Sequence, residues 1–72
     1  MNNDKIIAEV SEILMLEEGF SINKTQIEFD SLSSLMLVEF LDSNFEISIS
    51  KDEIKNFNVL KDIIDFIHKS KS

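Results

Sequence analysis

Two stretches of this chain repeat apolar residues at the spacing of one α-helix face, and the single stretch that alternates like a strand has nothing to pair with. From Asp4 to about Leu16, the residues Ile6, Ile7, Val10, Ile13 and Leu14 recur at helical spacing, with Asp4, Lys5, Glu9 and Glu12 on the other side. Near the end, Val59, Leu60, Ile63, Ile64 and Ile67 form a second such face, with Lys61, Asp62 and Asp65 outside it. Ile47 and Ile49 alternate with Ser48 and Ser50, but a lone strand finds no ladder partner, so an extended connection is expected there. The fold class that follows is all-α.

The remaining elements follow from punctuation. The chain has no proline and a single glycine, and Glu17-Glu18-Gly19 is expected to end the first helix because glycine takes the left-handed C-terminal position without steric cost. Phe20 to Phe29 reads as a polar loop pinned by Phe20, Ile22, Ile27 and Phe29. A second helix is expected from Asp30 or Ser31 to about Asn44. Its Leu32, Leu35, Met36, Val38, Phe40 and Leu41 cover more than one narrow stripe, so it is either central or has an exposed face that meets a partner. Ser50 followed by Glu53 matches a capping box and predicts a short third helix. Asn58 is expected to cap the last helix, and Lys69-Ser70-Lys71-Ser72 to fray. The expectation is a small antiparallel four-helix bundle, with three longer helices and one short third helix, forming one domain over residues 1–72.

Composition removes several functions. A chain of 72 residues is too small to enclose a deep catalytic cleft. Fourteen acids against seven bases give a formal charge of −7, which repels nucleic acid and anionic membranes and favours a basic protein surface as partner. Cysteine is absent, so any thiol chemistry is imported. The start Met1-Asn2-Asn3-Asp4 lacks a basic leader region, and no uninterrupted apolar run is longer than four residues, the length of Leu35 to Val38. No membrane span is encoded, and a cytoplasmic monomer is expected.

No catalytic constellation competes for attention. The lone His68 falls in the last turn of the last helix, where positive charge is favoured by the helix dipole, and with no second histidine a triad or zinc site lacks its parts. The stretch Asp42 to Glu53 approaches a twelve-residue calcium loop, but the position that needs glycine holds Ile47, which rejects it. Glu17-Glu18, Asp52-Glu53 and Asp62/Asp65 read as solvated carboxylates. What remains is Phe29-Asp30-Ser31-Leu32, which sets a hydroxyl where polar loop gives way to apolar helix. A serine there is either a helix cap or a point of covalent attachment, and the local residues leave both open. Ser33 and Ser34, two and three positions on, read as exposed polar filler.

Over nearly its whole length the chain resembles the acyl carrier protein family. Asp30-Ser31-Leu32 is similar to that family's Asp-Ser-Leu motif. Phe45-Glu46-Ile47-Ser48-Ile49 stands at the matching distance without a gap, and Val59 to Ile67, with Asp62, Ile63, Phe66 and Ile67, is similar to the family's last helix. The resemblance implies that Ser31 carries a 4′-phosphopantetheine arm, donated by coenzyme A through a phosphopantetheinyl transferase, with Asp30 organising the transferase's magnesium and Leu32 completing the motif. It implies a carrier rather than an enzyme, visiting acyl-activating, condensing or acyltransferase enzymes of fatty acid, polyketide or related synthesis. Met36, Glu39, Asp42 and Glu46 are the expected partner-binding residues. An aminoacyl or peptidyl carrier, or an unmodified helical docking module, are the alternatives. Ser33, Ser34 and Met36 stand where the family often has acids, which favours dedicated partners that recognise a more apolar patch.

Overall fold

The computed structural model describes residues 2–71, and four helices account for most of them: α1 (Asn3–Ile13), α2 (Ser31–Phe45), α3 (Lys51–Ile54) and α4 (Leu60–Lys71). Among the described residues there is no strand, only an isolated antiparallel bridge between Gln26 and Val59. The connection through Ile47 and Ile49 has no regular structure, and both side chains enter the core. α1 packs against α2 and α4, and α3 against α2. A 2.9 Å hydrogen bond between His68 Nε2 and Asn3 Oδ1 ties the end of α4 to the start of α1, so these helices run antiparallel.

The apolar faces read from the sequence meet in one core. Ile6 and Val10 of α1, Leu37 and Leu41 of α2, Ile54 of α3 and Leu60, Ile63 and Ile67 of α4 are all essentially without solvent contact. Phe40 packs edge-to-face on Phe45, and Phe57 on Phe66, with ring centroids 5.9 and 5.5 Å apart. Ile27 is buried from the long loop, and Phe20, Ile22 and Phe29 pack against the same core from its edge.

The helix ends differ from expectation in three places. α1 stops at Ile13, and the left-handed residue that ends it is Met15, at φ 55°, rather than Gly19. The Leu16 N–H donates to the Ser11 carbonyl at 2.9 Å and the Met15 N–H to that of Glu12 at 3.2 Å, the paired bonds that satisfy the last orphan carbonyls of a helix. Gly19 is also left-handed, at φ 87°, but it serves a later turn. A side chain in this conformation costs about 1–2 kcal/mol relative to glycine.

At the same end of the bundle, Asn58 does not cap α4 with its side chain. Asp62 reaches back instead, its Oδ2 accepting from the Asn58 and Val59 N–H groups at 2.9 and 3.1 Å, so this carboxylate is not simply solvated. The Ile22 carbonyl takes the Lys61 N–H at 2.9 Å, and the Asn58 carbonyl takes that of Ile27 at 2.9 Å, stitching the long loop to the start of α4. The helix then continues to Lys71 where fraying was expected, and Ser72 lies outside the described residues. α3 begins as expected, with Ser50 Oγ accepting from the Glu53 N–H at 3.2 Å and Glu53 Oε1 from the Ser50 N–H at 3.3 Å.

Ser34 is the largest departure, because it is 1% exposed rather than surface filler. α2 is apolar almost all round, so the phase of its buried face is poorly marked, and packing turns Ser34 inward with Leu37 and Leu41. Its hydroxyl has no hydrogen-bond partner, and an unpaired buried hydroxyl costs about 1–3 kcal/mol. Ser34→Ala is expected to raise the unfolding free energy by about 1 kcal/mol in urea titration. An unchanged or lower value would mean that the hydroxyl is satisfied.

Candidate functional site

The start of α2 is built by two side chains that lock each other. Asp30 is extended at φ −98° and ψ −175°, the geometry of a residue just outside a helix, and its Oδ1 accepts from the Ser33 N–H at 2.8 Å. Ser33 Oγ accepts in return from the Asp30 N–H at 3.0 Å and donates to Asp30 Oδ1 at 2.9 Å. This is a reciprocal capping box with serine in place of the usual glutamate or glutamine. The aspartate three residues before Ser33 was its signal in the sequence. The Ser33 N–H and hydroxyl, in that order, hold the Asp30 carboxyl below the usual carboxylate range.

Ser31 is not the residue that caps the helix. Asp30 caps the helix, so Ser31 falls at the first helical position and is exposed, and among the described residues its hydroxyl has no hydrogen-bond partner. Of the three serines in this first turn, Ser33 is engaged in the cap, Ser34 is buried and Ser31 alone presents a free hydroxyl. The orphan N–H groups and dipole of a helix start favour an anion there, so a phosphodiester on Ser31 fits the position chemically.

The residues expected to meet partners share the exposed side of α2. With 3.6 residues per turn, Ser31, Leu32, Leu35, Met36, Glu39, Asp42 and Glu46 fall within an arc of about 140°. Leu32 is 67% exposed, Leu35 50% and Met36 42%, while Glu39, Asp42 and Glu46 are all exposed. Glu46 is left-handed at φ 57° and ends the helix, and the neighbouring Ile47 is buried. Among the described residues, no group of three or more His, Cys, Asp or Glu is arranged to hold a metal ion. Beside Asp30, an open depression of about 730 Å³ runs toward residues 55–58, with Ile27, Phe29 and Phe57 in its lining and Lys55 among its few charges.

Three curated proteins resemble this chain along nearly all of it, each named acyl carrier protein. The protein of Kocuria rhizophila is 27% identical over 79 residues, covering 99% of this chain and 98% of its own length. Those of Myxococcus xanthus and Micrococcus luteus are each 27% identical over 74 residues, covering 92% of this chain and 94% and 91% of their own. No family model matches the chain, and no solved structure matches it.

The lowered pKa of Asp30 has a testable sign. Its folded value lies below its unfolded one, so the charged cap contributes stability above the unfolded value and loses it as pH falls through the folded value. Asp30→Asn keeps an acceptor for Ser33 but no charge. Between about pH 6 and pH 3 the urea midpoints of wild type and Asp30→Asn are expected to converge. A gap that stays constant over that range contradicts the charged cap.

Proposed function

Taking as premise that this chain is a relative of the acyl carrier proteins, and so a carrier rather than an enzyme, we propose that Ser31 bears a 4′-phosphopantetheine arm carrying acyl groups between biosynthetic enzymes. The observation that carries this reading is the free, exposed Ser31 hydroxyl at a helix start whose cap is already made by Asp30 and Ser33. When bound, the arm supplies the thiol that a cysteine-free chain lacks. The 72 residues act as one carrier domain and a cytoplasmic monomer, and no described helix is long and apolar enough to cross a membrane.

Each residue of the site has a part in this reading. Ser31 Oγ attacks the phosphorus of the phosphopantetheine unit in coenzyme A, the bond to the adenosine 3′,5′-bisphosphate portion breaks, and the hydroxyl proton passes to a base of the transferase. Asp30 accepts both of its bonds from Ser33 on Oδ1, and its carboxylate would help to hold the transferase's magnesium. Leu32 stands exposed beside Ser31 for that enzyme to cover. Glu39, Asp42 and Glu46 orient basic docking surfaces of the acyl-handling enzymes, at about 0.2–1 kcal/mol for each exposed pair, and Met36 adds an apolar contact between them.

Incubated with coenzyme A and a phosphopantetheinyl transferase, the wild-type chain is expected to gain the mass of one phosphopantetheine and Ser31→Ala none. Transfer to the alanine variant would remove Ser31 from the role.

A further inference from the structure

Four large apolar side chains are markedly exposed: Met15 at 86%, Leu32 at 67%, Leu35 at 50% and Met36 at 42%. Three of them belong to one feature. Met15, Leu32 and Met36 line a groove of about 280 Å³ between the end of α1 and the start of α2, with Ile13 and Leu14 also in its lining. Through Ile13 and Met36 it adjoins a second depression of about 290 Å³ beside Phe40. The charged residues lining the two are all acids: Glu12, Glu28, Asp30 and Glu39.

Met15 is out of place on folding grounds alone. It holds a left-handed conformation that glycine adopts freely, and at 86% exposure its side chain gains little burial to offset the strain. Methionine is also the side chain that adapts most readily to the shape of a partner surface. An apolar wall, strained and uncovered, beside an acidic rim is complementary to an apolar residue flanked by basic ones.

The position of the groove selects the partner. Asp30, Leu32 and Ser33 line it, and the first two are the immediate neighbours of Ser31. A protein that acts on the Ser31 oxygen itself must cover this surface, whereas enzymes that act on a thiol at the far end of a flexible arm need not. We propose that the groove seats an apolar residue, flanked by basic side chains, of the transferase that modifies Ser31, with Met15 as the wall that closes over it. This rests on the reading of Ser31 as the attachment point.

The test separates the two claims, because one substitution moves stability and recognition in opposite directions. Met15→Gly relieves the backbone and removes the wall, so it is expected to unfold at higher urea than the wild type. In transfer from coenzyme A by the transferase that loads the wild-type chain, its KM as substrate is expected to rise about tenfold with kcat unchanged. Met15→Leu, which keeps an apolar wall, is expected to stay within about twofold of wild type on the same scale. A KM for Met15→Gly equal to that of the wild type, or a change confined to kcat, overturns the docking proposal and leaves Ser31 as the attachment point. No transfer to the wild-type chain overturns both.

Discussion

The mutual hold of Asp30 and Ser33 decides where α2 begins, and much else follows from that register. With Oδ1 of Asp30 on the Ser33 N–H at 2.8 Å and Ser33 Oγ on the Asp30 N–H at 3.0 Å, Ser31 is fixed at the first turn with its hydroxyl outward. The same register sends Ser34, Leu37, Leu41 and Phe45 into the core and leaves Leu32, Leu35, Met36 and Glu39 on the surface. A slide of the sequence by one residue along the helix would turn every side chain by about 100° and bring a different serine to the rim.

The rest of the bundle gives that helix a firm bed and a neighbour. α1 ends early at the left-handed Met15, which leaves Leu14 and Met15 lining a groove with the start of α2. The long loop is held to the start of α4 by the Lys61-to-Ile22 and Ile27-to-Asn58 bonds, each at 2.9 Å, so the approach to Asp30 is anchored at two points. A free hydroxyl therefore stands on a fixed surface with an apolar groove beside it and no basic residue within α2.

Much of this architecture is legible in the amino-acid pattern, and the parts that are not share a cause. α1 and α4 announce their buried faces because polar residues separate the apolar ones, and Ser50 with Glu53 announces α3. α2 has apolar residues on too many sides for its phase to be read, so Ser34 passes for a surface residue until packing turns it inward. Gly19 is the better left-handed residue by propensity. Yet the chain closes α1 through backbone bonds at Met15 and Leu16, which depend on where the core ends rather than on the residue at the turn. Asn58 is a good cap by type, but Asp62 reaches the same N–H groups from within the helix. At the candidate site, Asp30, Ser31 and Leu32 were legible as a motif, whereas the cap that frees Ser31 hides in a box with serine at its third position. The groove beside Met15 joins residues far apart in the chain, and no local pattern marks it.

The central claim is that Ser31 is an attachment point rather than a structural serine. Mass spectrometry of the protein taken from its own cells, first intact and then as fragments, bears on it most directly. The account predicts one phosphopantetheine per loaded chain, mapped to the fragment that holds Ser31 and to that residue within it. A protein found only at its unmodified mass, or one carrying the group on another residue, would contradict it.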